Sequence, residues 1–209
     1  MRTNVYYHIW SPADTDLWKI MVDEQIKRLY RSGLPEVATV KCAINGPQAS
    51  RIKEYVSLYD WINILDYRDS DDEYEGFTLK HVYEDCLNER ATKVMYFHTK
   101  GISHMCGVRD QYSDRKVRAI NSWRHLMEWG CIDKWKENLE RLDTYQVTGV
   151  NYCLDPWPHM SGNFWWARAD YIATLQHPTK DAFVREDADF GPIERMNFEK
   201  WVGMKDPSV

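Results

Sequence analysis

Long apolar runs are missing from this 209-residue chain. None approaches the roughly 20 residues needed to span a bilayer, which excludes a transmembrane helix. The first ten residues, MRTNVYYHIW, lack the apolar stretch of a secretory signal. Glycine is sparse, 10 residues, and no Walker-type loop, G-x-G-x-x-G fingerprint or G-x-S-x-G elbow occurs. The five cysteines, at 42, 86, 106, 131 and 153, are odd in number and contain no Cys-x-x-Cys spacing. This argues against a disulfide framework and a structural zinc site, and the expectation is reduced, mostly buried thiols in a cytoplasmic protein. An excess of positive charge is also lacking. The net charge is -5 and the pI is near 5.8, which argues against a nucleic-acid polymer as partner.

What the chain does have is 44% hydrophobic and 28% charged residues, the balance of a soluble globular domain. Ten Trp and 13 Tyr are many for this length, and flat aromatic faces suit stacking on sugar or base rings as well as core packing. No internal repeat or linker interrupts the sequence, so one domain over 1–209 is expected. The ending, Met204 to Val209, carries no evident cap, which reads as a domain cut from a longer protein.

Strand-like and helix-like segments alternate. Residues 4–10 read as a first strand closed by Ser11-Pro12. Asp16 is placed to cap a helix with Leu17, Ile20, Met21, Ile26, Leu29 and Tyr30 at helical spacing, stopped at Ser32-Gly33-Leu34-Pro35. A second strand follows over Val37–Ile44, a short helix over Ser50–Leu58 and a third strand over Trp61–Leu65. Residues 66–76 are an acidic loop, and a helix follows from Thr78 to about Asn88. The run Lys93-Val94-Met95-Tyr96-Phe97 is short, apolar and bounded, as a central buried strand is. This order predicts an α/β domain, a central mostly parallel (mixed) sheet flanked by helices, with its ligand at the carboxyl ends of the strands. The second half is less regular. A polar loop at 101–115 precedes one or two helices over 114–142, a strand over 147–152, a strand over 163–167 and a helix from about Ala169.

Three segments could carry chemistry. His98-Thr99-Lys100-Gly101 leaves the central strand, where polar side chains face the crevice. There Lys100 could neutralise a phosphate, Thr99 donate a hydrogen bond, Gly101 admit a close approach, and His98 serve as metal ligand or phosphate donor. His159-Met160-Ser161-Gly162-Asn163-Phe164-Trp165-Trp166 fits a sugar-binding wall, with Ser161 and Asn163 reading hydroxyls, although a Trp there also suits a core. The acid-rich stretch Arg185–Asp189, with Arg195 and Glu199-Lys200-Trp201, offers a carboxylate as general base or a solvated charged loop. Three Asp-x-Asp patterns, at 14–16, 69–71 and 187–189, match a cation-diphosphate motif, but none follows the central strand and spacing assigns a metal to none of them.

Taken in order, these segments resemble a known family. Thr78-Leu79 at a helix start, Tyr96-x-His98-Thr99-Lys100-Gly101, Trp123-Arg124, Ser161-Gly162-Asn163-Phe164-Trp165-Trp166-Ala167 and Arg195-x-x-x-Glu199-x-Trp201 look like the small GT-A-type glycosyltransferases of bacteria and large DNA viruses. Chlorovirus enzymes implicated in glycosylating the major capsid protein are the nearest of these. The resemblance spans roughly residues 5–203. It implies transfer of a hexose from a UDP-sugar to a glycan or glycoprotein acceptor, with Mn²⁺ (or Mg²⁺), in the host cytoplasm for a viral protein. It implies a donor site of His8, Thr78, Leu79, His98, Thr99, Lys100 and Gly101, with His98 on the metal. Sugar or acceptor contacts fall to His159, Ser161, Asn163, Trp165 and Arg195, and the base to Glu199 or Asp187. In such enzymes an Asp-x-Asp usually follows the central strand, and here His98-Thr99-Lys100 stands in its place. From another class, a non-catalytic carbohydrate-binding or capsid-assembly module also accommodates the aromatic content. A metal-dependent phosphoesterase would need clustered acids at strand ends, which the sequence lacks.

Overall fold

The computed structural model describes residues 2–12, 16–70, 73–105, 114–179 and 198–209. Four parallel strands run in the spatial order β3 (Ile62–Arg68), β2 (Ala38–Asn45), β1 (Thr3–Trp10), β4 (Lys93–His98). Two antiparallel strands, β8 (Trp165–Arg168) and then β5 (Val147–Gly149), extend the same sheet beyond β4. A separate ribbon pairs β6 (Tyr152–Cys153) with β7 (His159–Met160). The helices are α1 (Leu17–Ser32), α2 (Ala49–Val56), α3 (Gly76–Leu87), α4 (Ile102–Met105), α5 (Asp114–Glu128), α6 (Trp135–Arg141) and α7 (Ala169–Ile172). The expected mixed, mostly parallel sheet flanked by helices is what forms.

Period-2 alternation in β1 and β4 serves two cores at once. Val5, Tyr7, Ile9, Met95 and Phe97 face α1 and α2, with Tyr7 stacked on Phe97 at 4.3 Å between ring centroids. On the opposite face Tyr6, Val94 and Tyr96 meet Leu79, Val82 and Cys86 of α3, together with Trp165 and Trp201. Every residue of β4 is buried, as its apolar run requires.

Several local expectations are corrected. In α1 the buried stripe is Trp18, Met21, Val22, Gln25, Ile26 and Leu29, whereas Ile20 and Tyr30 are exposed. Asp16 occupies the cap position without a capping hydrogen bond, because its carboxylate pairs with Arg51 at 2.8 Å. Gly33 stops the helix as expected, in the left-handed region at φ 72°. Strand β3 runs on to Arg68, because a register shift at Cys42/Ala43 of β2 keeps Tyr67 and Arg68 paired with Ile44 and Asn45. Beyond Gly149 the expected strand 147–152 breaks, with Asn151 at φ 58°, and its end joins the ribbon instead. Asn163, also at φ 58°, delays the start of β8 to Trp165.

Candidate functional site

The chain order reverses between β1 and β4: β2 and β3 lie on one side, β4 and β8 on the other. At such a switch point the loops leave in opposite directions and open a crevice at the carboxyl ends of the strands. A cleft lies there, lined by His8, Trp10, Tyr74, Glu75, His98 and Ile102 among others. Its cavity is about 100 Å³.

His8 and His98 are direct neighbours in the β1–β4 register and point to the same face. The His8 ring bonds Thr78 of α3, Nδ1 to Oγ1, at 2.8 Å, so two of the expected donor-site residues hold each other. The Nε2 of His98 lies 3.0 Å from the Gly162 carbonyl, which only accepts, so Nε2 carries a proton. Its Nδ1 faces Glu75 Oε1 at 3.7 Å.

Glu75, unassigned by the sequence, is the central acid of the cleft. Its Oε2 accepts from Tyr96 Oη at 3.1 Å and from Asn163 Nδ2 at 2.5 Å. Burial, then the charge of Glu75, pushes the Tyr96 phenol well above its usual range, so it stays protonated as the donor. Trp165 Nε1 donates to Asn163 Oδ1 at 2.7 Å and thereby orients the amide. Behind the cleft, Asn45 Nδ2 at the end of β2 bonds the Tyr74 carbonyl at 3.1 Å. Tyr74 and Asn163 both have positive φ, 46° and 58°, beside the carboxylate they help position.

The other expected residues fall in several places. Thr99 does not reach outward for a phosphate here. Its hydroxyl donates to Trp10 O at 2.9 Å and accepts from Trp10 N at 3.1 Å, clamping β1 to β4. Gly101 is needed for its φ of 87° and because a Cβ would stand 2.7 Å from Ile120 of α5. Lys100 leaves the strand beside the cleft and donates to Glu199 Oε1 at 2.9 Å, an ion pair mostly shielded from water. Glu199 thus has a lysine partner, while Arg195 and Asp187 lie outside the described residues. Leu79 and Trp165 are fully buried in the core. His159, on the ribbon, bonds the Trp157 carbonyl at 2.7 Å, and Ser161 is half-buried in the turn that follows.

The Trp123-Arg124 motif has a structural role. Arg124 is buried against Glu128 at 2.8 Å, and Glu128 accepts from Gln25 Nε2, also at 2.8 Å. The same Gln25 amide bonds the His98 carbonyl at 3.2 Å, so helices α1 and α5 fix the exit of β4.

No three His, Cys, Asp or Glu side chains gather as a metal centre among the described residues. His98 directs Nε2 to Gly162, Asp16 holds Arg51, and Asp69 accepts from the Ser50 amide and hydroxyl at 3.1 and 2.9 Å. The other acids of the three Asp-x-Asp patterns, Asp14, Asp71, Asp187 and Asp189, lie outside the described residues.

No curated protein matches the sequence. Among solved structures, the chain is similar to a Desulfovibrio desulfuricans G20 protein assigned as a nucleotide-diphospho-sugar transferase. The TM-score is 0.51 at 10% identity, over 100% of this chain and 79% of that one. That likeness shows a shared fold. Lower likenesses, both at TM-score 0.43, are to a 4-diphosphocytidyl-2C-methyl-D-erythritol synthase and to HddC from Yersinia pseudotuberculosis. The first is 9% identical over 96% of this chain and 85% of that one, the second 11% identical over 90% and 85%. With its sheet, switch point and buried strand exit accounted for, the chain belongs to the family described as a domain of unknown function, DUF8361, whose model matches residues 6–206.

Proposed function

We propose that this protein is a glycosyltransferase that takes a UDP-sugar and passes its hexose to a glycan acceptor. The observation that carries the reading is the cleft at the β1–β4 switch point, lined by His8, His98 and Glu75, with Lys100 standing between its lining residues Thr99 and Gly101 and paired with Glu199. The fold shared with a protein assigned as a nucleotide-diphospho-sugar transferase supports it. The sequence resemblance supports a glycoprotein acceptor of the capsid type.

In this reading Glu199 takes the proton of the acceptor hydroxyl as its oxygen bonds to the anomeric carbon. The carbon–oxygen bond to the diphosphate breaks, and its electron pair leaves with UDP. Protonation neutralises Glu199 and frees the Lys100 charge for the departing diphosphate, whose developing charge it stabilises. The acceptor proton thus ends on Glu199 and the negative charge on UDP.

Calorimetric titration of UDP, GDP and CMP, with and without Mn²⁺, tests the assignment. If the parallel half of the sheet holds the nucleotide, as the resemblance implies, UDP should bind more tightly than GDP, because a purine is larger than uracil. Equal affinities would sink the UDP assignment. Binding of free sugars with no preference for a nucleotide would point to the carbohydrate-binding module.

A further inference from the structure

Glu75 is an expensive feature for a fold to carry. A carboxylate only 5% exposed must be paired or hydrogen-bonded, and here its Oε2 takes two neutral donors while Oε1 stands 3.7 Å from His98 Nδ1. Buried side chains from two separate parts of the chain, Tyr96 and the Asn163–Trp165 pair, aim it. The carboxylate lines the cleft and does not face solvent. Tyr96 of β4 holds it directly, and Trp165 at the start of β8 holds it through Asn163.

An ionised carboxylate only accepts hydrogen bonds, so the ligand group it meets must bring O–H or N–H. A diphosphate brings neither and is repelled by the charge. The strand exit that holds Glu75 also holds His98, and two residues on Lys100 reaches Glu199 at the cleft's edge, where the proposed reaction places the sugar–phosphate bond. What lies inward of that bond, toward Glu75, is then the sugar and not the nucleoside.

We infer that Glu75 receives a hydroxyl of the donor hexose and so selects neutral sugars against those bearing a carboxylate. The inference rests on the UDP-sugar reading and narrows its substrate to neutral hexoses.

The test compares UDP, UDP-glucose, UDP-galactose and UDP-glucuronic acid by calorimetry on the whole chain, wild type and Glu75→Gln. In the wild type at least one UDP-hexose should bind more tightly than UDP, and UDP-glucuronic acid at least about tenfold more weakly than that hexose. The expected size is that of one charge-assisted contact. Glu75→Gln keeps the shape and should leave UDP affinity unchanged, erase the gain from the neutral hexose and shrink the discrimination against glucuronic acid. The wild-type comparison needs no variant, so it stands even where Glu75→Gln fails to fold. Wild type binding UDP-glucuronic acid as well as UDP-glucose would overturn the inference and leave the UDP-sugar reading intact. Loss of UDP affinity itself in the variant would move Glu75 to the nucleoside and equally overturn it. Failure of the wild type to bind any UDP compound would remove the underlying reading, and the inference with it.

Discussion

Near the amino end of β1, Tyr6 Oη donates to Asp85 at 2.7 Å and Lys41 Nζ approaches the same oxygen at 2.5 Å. Burial alone would raise the pKa of Asp85, but the hydrogen bonds from Lys41 and Tyr6 outweigh it and hold the carboxyl below its usual range. A depressed acid stabilises the fold fully above its unfolded value, about 3.9, and that contribution is lost as pH falls through the folded value. Asp85→Asn should therefore cost about 1–3 kcal/mol at neutral pH and flatten the acid side of the stability curve. Urea unfolding at a series of pH values reads both, and an unchanged acid slope would show that the pair contributes nothing. In the proposed reaction Glu199 is the base, and Glu199→Gln keeps the contact shape with Lys100 while removing that base, so turnover should drop by roughly 10²–10⁴ with UDP affinity retained. Near-normal turnover would place the base elsewhere or make the enzyme a retaining one.

At the scale of elements, the turn between β7 and β8 sets the site. Gly162 has φ 83°, and a Cβ on it would stand 2.4 Å from Met127 Sδ and 2.9 Å from Trp123 Nε1 of α5. Its carbonyl also holds His98. Gly33, at φ 72°, meets nothing within 4 Å, so an alanine there carries the left-handed cost alone, about 1–2 kcal/mol. Gly162→Ala should carry that cost plus a packing clash of about 1–3 kcal/mol. Denaturant midpoints of the two variants, measured side by side, should differ in that direction. Equal midpoints would mean that α5 yields freely. The helices themselves were legible from their apolar spacing, but which stripe faces the sheet was not. Of the residues at helical spacing, Met21, Ile26 and Leu29 are buried. Ile20 and Tyr30 were not separable from them by spacing, because Trp18, Val22 and Gln25 complete an adjacent stripe that the sheet selects.

At the scale of the whole molecule, three of the four described thiols, Cys42, Cys86 and Cys131, are buried. Cys42, Cys86, Cys131 and Cys153 are free, and burial pushes the first three up to about 12. In the folded protein at pH 8, iodoacetamide followed by mass spectrometry should label half-buried Cys153 well before those three. Comparable labelling of Cys42 or Cys131 would reveal opening of the layer between the sheet and α1. Cys106 lies outside the described residues.

The sequence by itself determined the layered α/β architecture and the place of the cleft. Alternation, helical spacing and the buried run at 93–97 are local patterns, and a strand exit rich in polar residues can be read without knowing its neighbours. Tertiary structure alone decided which side chains meet. Glu75 was one of six acids in the run 66–76, and nothing in that run marks the one that turns inward. Its partner Asn163 lies 88 residues away, and Lys100 meets Glu199 across 99 residues. Such pairings depend on strand order, which brings β8 against β4. Local periodicity fixes what each segment becomes, whereas strand order is settled by how the apolar faces of all segments are buried together.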